Sequence, residues 1–161
     1  MAYFAFILLV DFYFPAPSCD SGWEYMQSQC YSVQTQTLSW ADARTECQNL
    51  GGDLASIPTV GVQSVLFNLE NEEDVWTGGN DLSDSETFSW IGGEDWTYDN
   101  WNTNQPNHVA GQDCVKMKKN TGRWDDVSCT AEFKFACQKA ATGTFSNSGG
   151  NEPSAFIPFF I

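Results

Sequence analysis

Six cysteines, at positions 19, 30, 47, 114, 129 and 137, constrain this chain more than any other feature. None forms a Cys-x-x-Cys pair, the spacing used by zinc and thioredoxin-type sites. An even set of cysteines in a 161-residue chain rich in acidic and aromatic side chains fits three disulfides formed in an oxidising compartment. Spacing alone leaves the pairing open. The amino terminus points the same way. Met1 to Val10 carries no charge and is apolar after Ala2, Phe12-Tyr13-Phe14 continues that character past Asp11, and Ala16-Pro17-Ser18 places small residues ahead of Cys19. Residues 1–18 therefore resemble a secretory signal, although no basic residue precedes the apolar run. The run is too short to span a bilayer as a helix. We expect a secreted, extracellular protein with no membrane insertion.

The length suits one domain of the usual ~100–200 residues, long enough for a real core. Twenty-one acidic and seven basic residues give a formal net charge of −14. From Glu70 to Asp113 there are eleven acidic residues and no Lys or Arg. A nucleic-acid partner is excluded, because phosphate binding needs a basic face. No Ser/His/Asp set, acid–base pair or phosphate loop is visible, and His108 is the sole histidine. An enzyme is not expected.

Local signals organise the chain into elements. Gly22-Trp23 and Cys30-Tyr31-Ser32-Val33 read as an opening hairpin. Ser39 is a helix N-cap with Asp42 three residues on, and Trp40, Ala43, Cys47 and Leu50 recur at helical spacing before Gly51-Gly52. Asp53 to Ile57 reads as a strand. A second helix starts near Thr59, with Val62, Val65, Leu66 and Leu69 on its apolar face, and stops at Glu72-Glu73-Asp74. After Val75-Trp76, residues 78–111 lose periodicity and are rich in Gly, Asn, Asp and Trp. A long irregular stretch of this kind is commonly functional, and Trp90, Trp96, Tyr98 and Trp101 point to an ordered, aromatic-pinned loop. Strands return at Cys114–Met117 and Phe133–Cys137, with Asn120-Thr121-Gly122 as a turn. Residues 140–161 read as a Gly/Ser/Asn-rich tail with an apolar end.

Three short clusters of amide and carboxylate side chains close the loop region: Gln105-Pro106-Asn107, Gln112-Asp113 and Trp124-Asp125-Asp126. Such oxygens are the ligands a hard cation like calcium prefers, and the amides offer donors as well as acceptors to a sugar hydroxyl. These clusters complete an ordered set with Cys47, Trp76-Thr77-Gly78-Gly79, Trp90, Tyr98-Asp99-Asn100-Trp101, Cys114, Cys129 and Cys137. The set resembles the C-type lectin-like domain, over residues 19–139. The resemblance implies an α+β fold with two helices, small antiparallel sheets and a long irregular loop region. It also implies the pairings Cys47–Cys137 and Cys114–Cys129, with Cys19–Cys30 closing the N-terminal hairpin of the longer family form.

In sugar-binding relatives calcium sits between the first cluster and the Trp-Asn-Asp strand, and its ligands also bond two sugar hydroxyls. Carried across, the calcium and carbohydrate ligands are Gln105, Asn107, Gln112, Asp125 and Asp126, with Pro106 cis. Asp125 stands where relatives carry Asn, and amides stand at three positions where carboxylates are frequent. Fewer carboxylates imply weak calcium binding. Gln-Pro-Asn is a hybrid of mannose-type and galactose-type loops, so either sugar class is an expected partner. Trp101 and His108 are the aromatic candidates beside it. If His108 lies at the metal, protonation below about pH 6.5 would favour release. Asp81 and Asp113 match ligands of a second calcium site in relatives, with Asp84, Ser85 and Glu86 near a further ligand position. The resemblance thus implies a secreted calcium-dependent lectin, with innate immune recognition of glycans as a setting and homo-oligomerisation as the route to avidity. The alternative is a calcium-independent interaction domain that binds protein, ice or mineral.

Overall fold

The computed structural model describes residues 16–70, 72–83 and 87–143. Most of the expected leader, the triplet 84–86 and the tail from 144 lie outside the described residues. No helix among the described residues is long and apolar enough to cross a membrane.

The opening hairpin consists of β1 (Glu24–Met26) and β2 (Gln29–Leu38), joined through Gln27 and Ser28 with φ of 51° and 67°. Two positive-φ residues match the twist of a tight antiparallel turn. The first strand begins after Gly22-Trp23 because Trp23 N–H turns back to the Asp20 carbonyl at 3.1 Å. Helix α1 (Trp40–Asn49) is capped by Ser39, whose hydroxyl accepts from Asp42 N–H at 3.3 Å and donates to its carboxylate at 2.6 Å. Trp40, Ala43 and Cys47 form its buried stripe. Gly51 ends it at φ 87°, and a side chain on Gly52 would collide with the Gln138 carbonyl. Helix α2 (Val60–Leu69) is capped by Thr59 and buries Val62, Gln63 and Leu66.

Strand β3 (Asp53–Leu54) is shorter than the 53–57 expected. Ala55 N–H still reaches the Ala136 carbonyl at 2.8 Å, but Ser56 N–H turns to the Gln138 side chain, and the ladder ends there. Strand β4 (Val75–Asn80) runs through Gly78-Gly79, which read as the start of the irregular region. A Cβ on Gly79 would lie 2.9 Å from Val115, so the glycine permits close strand approach rather than a loop. The remaining strands are β5 (Ser89–Trp90), β6 (Cys114–Met117), β7 (Trp124–Val127) and β8 (Phe133–Ala140). Strand β8 outruns Cys137 because Lys139 and Ala140 pair with Cys30 and Gln29. Beyond it, Ser18 and Thr142 exchange backbone bonds, which ties the start of the described chain to its end.

The strands form one sheet in the order β1-β2-β8-β4-β6-β7, with β3 added on β8 and β5 on β4. The antiparallel pairs are joined by a parallel contact of β4 with β8, Val75 to Lys134 and Trp76 to Phe135. Two apolar clusters flank this sheet. In one, Trp40, Leu54, Trp76 and Phe135 surround Cys47 and Cys137. In the other, Val62 and Leu66 of α2 pack on Val75, Val115, Trp90 and Trp124. The buried indoles of Trp40 and Trp76 are satisfied by the carbonyls of Thr77 and Leu38, at 2.8 and 2.9 Å. All three disulfides take the expected partners: Cys19–Cys30, Cys47–Cys137 and Cys114–Cys129. This is the α+β fold that the resemblance implied.

Candidate functional site

Aromatic rings hold the long loop in place of periodic packing. The Trp96 ring stacks on Trp90 at 4.1 Å and on Trp101 at 5.9 Å, and all three meet the Trp124 ring edge-on. Offset stacks and edge contacts are the arrangements the ring quadrupoles favour. Trp96 Nε1 donates to Asp99 at 2.6 Å. The loop then meets β7 through its backbone: Trp124 N–H bonds the Asn100 carbonyl at 2.9 Å, and Asn102 N–H bonds the Trp124 carbonyl at 2.8 Å. Trp101 is half-buried in this cluster rather than presented as a flat exposed ring.

From Asn102 the chain folds over the end of β7. Gln105 N–H bonds the Asn102 carbonyl at 3.0 Å, and the Gln105-Pro106 bond is cis. Asp126 is fully buried, and its carboxylate accepts from Asn107 N–H at 3.1 Å on both oxygens and from His108 N–H at 2.9 Å. The loop is therefore latched to β7 by a charged acceptor, a stronger arrangement than a neutral pair. At the exposed rim of the loop, the Asn107 side-chain oxygen accepts from Val109 N–H at 3.0 Å. Gln112 N–H bonds the Val109 carbonyl at 2.9 Å, which returns the chain to Cys114 and β6.

The first cluster thus meets the third through Asp126, and the second runs straight into β6, the strand that pairs with β7. Asp125 is nearly buried and stands opposite Lys116 across the β6–β7 pair, while Lys118 Nζ lies 3.5 Å from its Oδ2. Three buried oxygens in this region face no hydrogen-bond donor: Gln105 Oε1, Gln112 Oε1 and Asp125 Oδ1. An unmet buried acceptor costs on the order of 1–3 kcal/mol, and side-chain oxygens are the ligand type a hard cation takes. The residues present fit a calcium ion in that sense. Among the described residues no three His, Cys, Asp or Glu side chains converge as a metal group, in keeping with a set that has only two carboxylates. Asp81 is also buried, and its N–H bonds the Asp113 carbonyl at 3.1 Å, so these two candidates of the second site adjoin.

Four residues that hold the surrounding framework escaped the sequence reading. Gln63 sits in the apolar stripe of α2, accepts from Trp124 Nε1 at 2.8 Å and donates to the Gly122 carbonyl at 3.1 Å. The available signal was slight: Gln63 directly follows the apolar-face residue Val62 and lies three before Leu66. Phe88 bridges the Trp101 ring at 4.9 Å and the exposed His108 ring at 5.8 Å. Glu94 accepts from Ser56 Oγ and Gln138 Nε2, each at 2.7 Å, and straps the loop to the sheet. Together with burial, Glu94 pushes the Tyr31 hydroxyl up to about 12. Lys118 is the fourth, and nothing local marks it among the lysines around it.

Fold and loop together define a C-type lectin-like domain. The Lectin C-type domain family model matches residues 36–139, and the chain belongs to that family. It is 34% identical over 126 residues to the mouse low affinity immunoglobulin epsilon Fc receptor, and spans 38% of that protein's length. It is 32% identical over 122 residues to the type-2 ice-structuring protein of Hemitripterus americanus, covering 75% of this chain and 74% of that one. Among solved structures, a calcium-independent type II antifreeze protein superposes with a TM-score of 0.75 at 29% identity, over 80% of this chain and 99% of the other. The cow CD23 carbohydrate-recognition domain, in the presence of an oligosaccharide, gives 0.74 at 32% identity, over 79% and 99%. The family is one of binding domains, not of enzymes.

Proposed function

We propose that the protein is a secreted, calcium-dependent lectin that recognises terminal sugar hydroxyls through the Gln105–Asn107 loop and a bound calcium ion. The observation that carries this reading is the trio of buried, donorless oxygens on Gln105, Gln112 and Asp125 beside the loop latched by Asp126. Gln105, Asn107, Gln112, Asp125 and Asp126 would hold the ion. Calcium there would supply a positive centre to which two neighbouring sugar hydroxyls bind. The side-chain donors of the amides, the Asn107 side chain at the exposed rim and the Phe88–His108 pair beside it would orient the ring. Two carboxylates make the site weak, which suits a calcium-rich extracellular setting. Mannose-type or galactose-type glycans are the partners, with innate immune recognition as the setting. Asp81 and Asp113 are proposed for a second, structural ion.

Gln112→Leu is the cleanest test, because its side-chain oxygen has no protein donor to lose. Calorimetric titration of calcium should show at least about tenfold weaker binding in the variant, with loss of retention on a glycan array. Glycan binding that persists in a chelator would sink the mechanism. A second reading, calcium-independent binding of protein, ice or mineral, draws support from Lys118 beside Asp125 and from the likeness to the calcium-independent antifreeze structure. Thermal hysteresis in chelator, without glycan binding, would favour it.

A further inference from the structure

We propose that Lys118 is a built-in counter-cation at the calcium site and sets how weakly the site holds its ion. The inference rests on the calcium reading above and adds a residue outside the ligand set. Lys118 follows the last residue of β6 and closes the turn to β7: its N–H bonds the Arg123 carbonyl at 2.8 Å, and its carbonyl accepts from Gly122 N–H at 3.0 Å. In the β6–β7 register Asp125 stands opposite Lys116, which makes Lys118 its diagonal neighbour on the same face. The directly opposed lysine is engaged elsewhere. Lys116 Nζ lies 2.6 Å from Asp74 Oδ2 and 4.6 Å from the centre of the Phe133 ring. Lys118 is thus the cation that reaches Asp125, 3.5 Å from Oδ2.

The two oxygens of Asp125 are consequently unlike. Oδ2 has a fixed positive neighbour, whereas Oδ1 is buried with no donor. A calcium ion on Oδ1 would share the carboxylate with an ammonium group. The Asp125 side chain is only 11% exposed, so water screens this repulsion poorly. Of the two carboxylates in the candidate set, one is half-neutralised by the chain itself. Calcium then binds either against that charge or after Lys118 swings into solvent, and both routes weaken it.

The test is calorimetric titration of calcium into the secreted protein and into its Lys118→Gln variant at low ionic strength, with a melting curve at each calcium level as a second readout. The variant should bind roughly three- to tenfold tighter, somewhat more than an exposed ion pair supplies because the ion is divalent. Lys118→Arg, which keeps the charge, should bind as the parent does. Asp125→Asn placed in the Lys118→Gln background should cancel the gain. Equal calcium affinity in parent and Lys118→Gln would overturn the role of Lys118 and leave the calcium reading standing. Failure of both proteins to bind calcium would overturn the two together. A gain that survives Asp125→Asn would overturn the pairing of Lys118 with Asp125.

Discussion

In the base of the molecule, α1 and α2 bury Ala43, Cys47, Val62 and Leu66 at helical spacing against a sheet closed by two disulfides. Along the loop from Asp81 to Asp113, indoles and carboxylates do that work without any period: Trp96 stacks between Trp90 and Trp101, Glu94 straps to Ser56 and Gln138, and Asp126 of β7 collects loop amides. A periodic backbone satisfies its own hydrogen bonds and leaves side chains free to pack. An aperiodic one finds partners singly, here the Trp124 backbone and the Asp126 carboxylate, while the stacked indoles supply the packing. The consequence is functional. Gln105 and Gln112 have their backbone N–H groups bonded to Asn102 and Val109, while their side-chain oxygens and Asp125 Oδ1 meet no donor.

The comparison can be broken most severely at the base. Replacing Cys47 and Cys137 together by Ala should cost about 2–5 kcal/mol, read by urea unfolding, and both regions should be lost in one transition. If the loop melted separately, the two regions would be independent units rather than one. Next, Trp96→Ala should cost about 2–4 kcal/mol. Hydrogen exchange should then accelerate at loop amides while those of α1 and α2 stay protected; uniform acceleration would show that the rings stabilise the whole domain. Gln63→Leu sharpens the boundary, because this side chain belongs to α2 yet holds Trp124. Leaving the buried Trp124 N–H without its acceptor should cost about 1–3 kcal/mol, with a change in tryptophan fluorescence.

The smallest expected effect depends on pH. Burial works to raise the Asp74 carboxyl, but the Lys116 ammonium, the Lys119 amide and the charge of Lys118 outweigh it and hold the group below its usual range. A depressed folded value means the contribution is present above the unfolded pKa of about 3.9 and lost as pH falls through the folded value. The gap in denaturation midpoint between parent and Asp74→Asn should therefore be open at pH 6 and close below about pH 4. A gap that stays constant would assign Asp74 a purely packing role.

The helices were legible because their signals are local. Ser39 and Thr59 cap, and Trp40, Ala43, Cys47, Val62 and Leu66 recur within a few residues of one another. The loop clusters were legible as an ordered set, and their order brought a family whose disulfide pairing this chain shares. Strand limits were less legible: β4 continues through two glycines because β6 approaches closely, and β8 runs on because β2 is there to pair with it.

By itself the sequence determined the caps, the acidic charge and the inventory of candidate ligands, since each follows from neighbours along the chain, while the α+β class came with the family that the ordered set of motifs resembles. Tertiary structure alone decided how that inventory is used. Asp126 and Asp125 are adjacent and chemically identical, yet one accepts amides from residues 18 and 19 positions away and the other faces Lys118 with an oxygen left open. Which donors reach a carboxylate depends on strand register and on where a distant loop lands, and neither quantity is encoded in the spacing of the residues concerned.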